Sequence, residues 1–206
     1  RQAPSHYIIS EEPAQNVTVV YDEVAEVTFF NDPYGTLRIE KKSDTGMNLP
    51  GAVIKIEHIE SGQTWTATTT SAGVAIFDQI PLGAYRIQEI TAPAGWKLDD
   101  TVYTATVVAG ETTTIPIINE ELPGLRIIKY DRKNMVAMPN VTFAVYRDGK
   151  FLGNFKTDQF GEILLTNVEP GTYRAFEVDT GDEGHILDTT PQEVELHAGD
   201  GIKELM

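Results

Sequence analysis

The residues of this chain that could react with one another are lysines, glutamates and asparagines that recur at a fixed spacing. Each type forms a pair whose members are 88 residues apart: Lys41 and Lys129, Glu89 and Glu177, Asn31 and Asn119. A neutral lysine amine is a nucleophile, a carboxyl group can polarise an amide and transfer protons, and an asparagine amide can release ammonia. Together the three residue types can form an amide cross-link.

The direction in which these side chains point follows from the sequence alternation around them. In TLRIEK, period two places Lys41 on the same apolar face as Leu37 and Ile39. In YRIQE, it places Glu89 on the face of Ile87. The remaining four candidates occupy the corresponding places in their own segments: Asn31, Asn119, Lys129 and Glu177. We therefore expect all six side chains to point into a core.

Burial of these groups would cost much free energy if they stayed charged and unpaired. Desolvation lowers the pKa of a buried lysine and raises that of a buried glutamic acid, so a neutral pair is favoured, and a cross-link would remove the charges entirely. The alternative interpretation is plainer. Lys41 would be a strand-end lysine with its amine in water, Glu89 and Glu177 edge-strand charges, and Asn119 a turn residue.

The elements that position these residues are predicted to be strands. Short alternating segments recur, such as VTVVY from Val17, VTFF from Val27 and EVELH from Glu193. Turn sequences such as Asp44-Thr45-Gly46 separate them, and no segment shows a sustained helical period. The sequence therefore predicts an all-β protein built from tandem immunoglobulin-like β-sandwiches.

The same spacing divides the chain into repeats. Gly73 and Gly161 obey it, as do Tyr85 and Tyr173, and a fixed period of this length indicates a repeat architecture. The N-terminal segments are similar to those that close the next unit. We expect residues 1–34 to be the C-terminal strands of a preceding repeat, 35–122 a complete repeat, and 123–206 a repeat that lacks its last strand.

Three segments of the repeats are distinctive: GTLRIEKKSDTGMNLPGA from Gly35, GVAIFDQIPLGAYRIQEITAPAGW from Gly73 and IPIINE from Ile115. In these segments the repeats resemble the Cna protein B-type, or SpaA-like, domains of Gram-positive surface proteins and pilins. This resemblance implies transthyretin-like, or reverse-immunoglobulin, sandwiches. It also implies that Lys41 in the first strand is bonded to Asn119 in the last, with Glu89 as the proton relay. Two residues match these roles in the next unit, and one matches the acceptor of the preceding unit: Lys129, Glu177 and Asn31.

The function that this resemblance implies is structural. The chain would be a series of stalk repeats of a cell-wall-anchored adhesin or pilus-like protein, outside a Gram-positive cell, with neighbouring repeats as partners. Its isopeptide bonds would form once, so the protein would not be an enzyme. The alternative is an adhesin module without isopeptide bonds that binds a host surface ligand, extracellular matrix or glycan, through Trp65 or Trp96.

This division of the chain leaves Lys129 without an asparagine in its own unit and Asn31 without a lysine. One hypothesis joins them in trans. The strand that contains Asn31 would complete the open unit 123–206 of a second molecule by strand addition.

Composition argues against several other functions. A net charge of −15 and a pI near 4.6 disfavour binding to nucleic acid or to an anionic membrane. No apolar run is long enough for membrane insertion. Cysteine is absent and the four histidines lack paired ligand spacing, so we expect no metal site and no cofactor. The acidic residues between Asp179 and Asp188 are interpreted as a solvated loop rather than a calcium site.

Overall fold

The computed structural model describes Tyr7 and residues 15–206. The chain divides into two compact units, one with residues up to 93 together with 98–118, and one with 94–97 together with 119–206. All regular elements in the described residues are strands. No helix in this part of the chain is long and apolar enough to cross a membrane.

The first unit is a β-sandwich. Its strands are β1 (Gly35–Ser43), β2 (Val53–His58), β3 (Thr64–Thr68), β4 (Val74–Ile80), β5 (Gly83–Thr91), β6 (Tyr103–Val107) and β7 (Thr112–Asn119). One sheet has the order β4-β1-β7 and the other the order β3-β2-β5-β6. The first and last strands, β1 and β7, are therefore direct neighbours in the three-stranded sheet.

The core of this sandwich follows from the alternation in the sequence. Buried and half-buried residues alternate strictly along β1, and Leu37 and Ile39 are fully buried. Ile54 and Ile87 come from the opposite sheet and pack into the same cluster. Burial of each such side chain stabilises the fold by about 1.5–3 kcal/mol. The core therefore holds the two sheets together along the length of β1.

The second unit repeats this architecture. Its strands are β8 (Gly124–Ile128), β9 (Thr142–Arg147), β10 (Lys150–Lys156), β11 (Glu162–Leu165), β12 (Gly171–Asp179), β13 (Gln192–Leu196) and β14 (Ile202–Leu205). The sheets have the orders β11-β8-β14 and β10-β9-β12-β13. These are the orders of the first sandwich, strand for strand. Leu125, Ile127, Val145 and Tyr173 form the centre of its core.

The expectation that residues 123–206 lack their last strand is wrong. Strand β14 pairs in parallel with β8, and Leu205 lies opposite Ile127. The turn before it returns the chain to β8, since the Gly124 N–H donates to the Gly201 carbonyl at 2.8 Å. Leu205 is only 7% exposed and supplies the apolar contact that fixes the strand. The edge of β8 that the Asn31 segment was expected to fill is therefore already occupied.

The segments VTVVY and VTFF were predicted to be strands, and the structure assigns no strand to either. Val19 and Phe30 are 75% and 68% exposed. A strand needs a paired neighbour and a core to cover one face, and local alternation supplies neither. The assignment of these segments to a preceding repeat stays a prediction.

Candidate functional site

The first candidate site lies between the two sheets of the first sandwich. Lys41 belongs to β1 and Glu89 to β5, and both side chains are completely buried. Lys41 Nζ lies 3.4 Å from Glu89 Oε1. The face that the alternation predicts for both residues is confirmed. The plainer interpretation of Lys41, with its amine in water, is wrong.

The backbone of Lys41 is fixed by a close approach of a second chain segment. Its N–H donates to the Gly73 carbonyl at 2.7 Å, and its own carbonyl accepts from Leu49 N–H at 2.9 Å. Gly73 has a φ of +69°, and a Cβ at this position would lie 2.6 Å from the Lys41 carbonyl oxygen. Only glycine adopts this positive φ without strain and also leaves room for the Lys41 carbonyl oxygen. This explains why a glycine recurs at this position, as Gly73 and Gly161.

The Glu89 carboxylate is held on its other side by the loop that follows β5. Asp99 donates its backbone N–H to Glu89 Oε2 at 2.9 Å, and the Asp99 side chain accepts a 2.7 Å hydrogen bond from Tyr103. The sequence analysis did not identify Asp99. The equivalent contact in the second sandwich involves Asp188, 89 residues later, so a search for recurring aspartates in this loop could have found it.

Asn119 is the last residue of β7, the strand hydrogen-bonded to β1. It is 2% exposed, and Ile117, two residues earlier, is fully buried. The predicted inward direction of Asn119 is therefore confirmed, and its interpretation as a turn residue is wrong. The sheet order brings the strand of the amide beside the strand of the amine.

Electrostatics in this core favour a reactive amine. Burial lowers the pKa of Lys41 below its usual 10.5, while the Glu89 carboxylate acts in the opposite direction. A lower pKa increases the fraction of neutral amine at a given pH, and only the neutral amine is nucleophilic. The arrangement can support transfer of an acyl group to the lysine.

The second candidate site repeats this pair in the second sandwich. Lys129 directly follows β8, and its side chain forms an ion pair with Glu177 of β12. The Asp188 N–H donates to Glu177 Oε2 at 3.2 Å. The Lys129 side chain is 25% exposed, and a cavity of about 210 Å³ opens beside it. Leu205 and Met206 line that cavity.

Asn31 is the one candidate that the structure places outside a sandwich core. It is exposed and belongs to no strand. Its predicted role as the acceptor of a preceding repeat stays a prediction.

Metal binding was not expected from the sequence. Among the described residues, no group of three or more histidine, cysteine, aspartate or glutamate side chains could hold a metal ion. The acidic loop before β13 is instead organised by His185, whose Nδ1 lies 2.9 Å from Asp182 Oδ1.

Comparison with known proteins identifies the class to which these sandwiches belong. The model of the SpaA prealbumin-like fold domain matches residues 35–121 and 123–205. The chain belongs to this family. No curated protein matches the chain.

Three solved structures illustrate the similarity. A streptococcal ancillary pilin is 16% identical over 97% of this chain and 73% of its own, with a TM-score of 0.50. The shaft pilin SpaA of Lactobacillus rhamnosus GG is 14% identical over 82% of this chain and 96% of its own, with a TM-score of 0.53. The Bacillus anthracis TIE protein is 29% identical over 83% of this chain, with a TM-score of 0.46, and the chain spans 33% of it.

Proposed function

We propose that this chain is a stalk segment of a pilus-like protein or adhesin on a Gram-positive cell surface, and that its first sandwich carries an isopeptide bond between Lys41 and Asn119. The observation that supports the bond is the buried pair of Lys41 and Glu89, 3.4 Å apart. A buried lysine next to a glutamate is unfavourable as a purely structural element, because both charges lose their hydration. A covalent bond to the asparagine removes that cost.

The reaction requires no cofactor. Glu89 accepts a proton from the Lys41 ammonium, and the neutral Nζ attacks Cγ of Asn119. Glu89 returns this proton to Nδ2 and then transfers the second proton that Nζ loses, so the Cγ–Nδ2 bond breaks and the nitrogen departs as ammonium. The product is a secondary amide without charge, and the carboxyl group ends in its initial protonation state.

The mechanical consequence follows from the positions of the two residues. The bond would join the first strand of the sandwich to its last strand, so a force applied along the chain would pass through a covalent link and bypass the core. It would also close a long loop. By analogy with a disulfide over such a loop, it would stabilise the sandwich by about 4 kcal/mol. Both effects suit a rod that is exposed to shear.

Family membership supports the location and the partners. The domain belongs to the SpaA family, and the L. rhamnosus GG protein of the same fold is a shaft pilin. Tandem sandwiches of one fold are the arrangement of a stalk, in which neighbouring repeats are the principal partners. We therefore assign this chain to the outside of the cell, in a protein held at the cell wall.

The pair of Lys129 and Glu177 is proposed to have the same chemistry in the second sandwich. A cavity of about 210 Å³ beside Lys129, lined by Leu205 and Met206, leaves room for an acceptor side chain.

The test is the intact mass of the denatured protein, followed by peptide mapping. We expect a mass lower by one ammonia and a branched peptide that joins Lys41 to Asn119. Glu89→Gln should restore the full mass, whereas the matched control Glu177→Gln should keep the deficit. The full unmodified mass in the unaltered protein would disprove the bond.

A further inference from the structure

The second sandwich carries an aromatic cluster on the outer face of its four-stranded sheet, formed by Tyr146 of β9, Phe151 of β10 and Phe176 of β12. The Tyr146 ring centroid lies 5.2 Å from that of Phe151 and 5.8 Å from that of Phe176. Phe151 is 51% exposed. The neighbours along the strands, Val145 and Ala175, point into the core, so the cluster faces away from it.

The first sandwich has polar residues at the equivalent positions. Arg86 pairs with Glu57 across β5 and β2, as Arg174 pairs with Tyr146 across β12 and β9. Arg86 forms an ion pair with Glu57 at 3.5 Å. Gln88 occupies the place of Phe176. At this sheet face the first sandwich thus has a solvated ion pair, and the second has aromatic rings. The fold therefore does not require aromatic residues at these positions.

A cleft of about 610 Å³ lies over this cluster. Tyr146 and Phe176 line it together with Arg174, Asp148 and Glu193. The volume is in the range of small-ligand sites, about 300–1,000 Å³, and aromatic walls with a few polar groups are typical of such sites.

The charges around the cleft select the kind of ligand. The two carboxylates outnumber the single guanidinium, which disfavours an anion. The Arg174 guanidinium lies 6.0 Å from the Phe176 ring centroid and would repel a ligand cation beside that ring, so a cation is disfavoured as well.

The remaining ligand is a neutral molecule with both apolar faces and hydroxyl groups. We propose that this cleft binds a neutral saccharide. The C–H face of a pyranose ring packs on the electron-rich faces of Tyr146 and Phe176. Its hydroxyls donate to Asp148 and Glu193 and accept from Arg174.

This surface differs from the one suspected from the sequence. Trp65 is partly buried and packs against the first core, with its ring 6.0 Å from that of Tyr85. The inference does not depend on the isopeptide bond, because no residue lines both this cleft and the cavity beside Lys129.

The test is binding to a panel of neutral oligosaccharides of glucose, galactose, mannose and N-acetylglucosamine, followed by amide NMR titration with any that bind. We expect saturable binding with shifts at Gly149, Arg174 and Glu193. The double substitution Tyr146→Glu with Phe176→Gln, which installs the residues of the first sandwich, should weaken binding at least about tenfold. The control Phe160→Ala removes another exposed ring, 63% exposed, and should leave binding unchanged.

Sialylated oligosaccharides and a proline-rich peptide serve as competing probes, and thermal unfolding verifies that each variant is folded. If no neutral saccharide binds at millimolar concentration, the proposal is wrong. The same conclusion follows if only a competing probe binds, or if the folded double variant binds the saccharide as tightly as the original chain.

Discussion

The two sandwiches share their strand order and a lysine–glutamate pair, yet they differ in how far the lysine is exposed to solvent. The Lys41 side chain is 0% exposed and that of Lys129 is 25% exposed. A cavity lined by Leu205 and Met206 opens beside Lys129, whereas Lys41 is enclosed between the two sheets of its sandwich.

This comparison teaches that residue type and spacing do not by themselves define a reactive lysine. Burial lowers the pKa of Lys41, whose side chain is 0% exposed. In our proposal a reactive lysine therefore needs both an asparagine on the neighbouring strand and burial of its amine.

The largest expected effect is the loss of the proposed bond in the first sandwich. Asn119→Ala should restore the full mass and lower the free energy of unfolding of this sandwich by about 4 kcal/mol, because the unfolded chain regains the entropy of a long loop. Hydrogen exchange of amides in β1 and β5 measures this sandwich separately. Lys129→Ala is the matched control and should leave those amides unchanged. Equal protection in Asn119→Ala and the original chain would contradict the proposal.

The reverse experiment should make the second sandwich resemble the first. A chain extended by one asparagine after Met206 should lose a further ammonia and form a branched peptide with Lys129. The expected stabilisation of the second sandwich is about 2–4 kcal/mol, since added cross-links often yield less than loop length suggests. An extension by glutamine is the control, because its longer side chain displaces the amide carbon. Absence of the second cross-link from the asparagine chain would show that more than the acceptor is missing.

A third experiment tests whether the backbone around both lysines is the same. Gly73→Ala and Gly161→Ala each place a Cβ 2.6 Å from the carbonyl oxygen of Lys41 or Lys129, at φ values of +69° and +72°. Each should destabilise its own sandwich by about 2 kcal/mol, from left-handed strain and the close contact. Gly46→Ala, at φ +87° with nothing within 4 Å, carries the strain alone and should cost about 1 kcal/mol. Unequal losses of unfolding free energy for Gly73→Ala and Gly161→Ala would mean that the two sites differ in their backbone as well as in the exposure of the lysine.

The sequence was sufficient to predict the paired sites because two independent patterns agree at them. The spacing of 88 residues selects Lys41 and Glu89, and the alternation around them fixes the face. Strand β14 escaped prediction because four residues are too few for alternation to be recognised, and Ile202 is 50% exposed. For VTVVY the error was the opposite one, because a strand was predicted and the structure assigns none. Its alternation is strong, but strand formation depends on a distant partner.

Other features depend on tertiary placement and could not be found by local pattern. The hydrogen bond from Asp99 to Glu89 requires the loop after β5 to fold back over its own strand. The outer aromatic cluster requires Tyr146 and Phe176 to meet across β9 and β12, although they are distant in the chain. The spacing in the sequence predicts which residues correspond between repeats. Which residues contact each other within one repeat is seen only from the strand pairing in the structure.

The smallest expected effect is a pH dependence that appears when the bond is absent. In Asn119→Ala the Lys41 amine is not acylated and can titrate, and burial lowers its pKa below 10.5 in the folded state. Between that lowered pKa and 10.5 the unfolded chain binds more protons than the folded chain, so the free energy of unfolding rises with pH. The rise stays below the limit of about 1.4 kcal/mol per pH unit for one proton. Above pH 10 the pKa values of Tyr85 and Tyr103, raised by burial to about 12, act in the opposite sense, so the measurement belongs below that pH.

Denaturant titration of the first sandwich at several pH values, followed by hydrogen exchange, measures this slope. The double variant Lys41→Met with Asn119→Ala has no amine to titrate, so the difference between the two variants isolates Lys41. In the original chain the proposed amide cannot titrate, and its slope should match that of the double variant. A slope in the original chain equal to that of Asn119→Ala would mean that the Lys41 amine still titrates and that no amide bond has formed. The two sandwiches would then differ only in how deeply the lysine is buried.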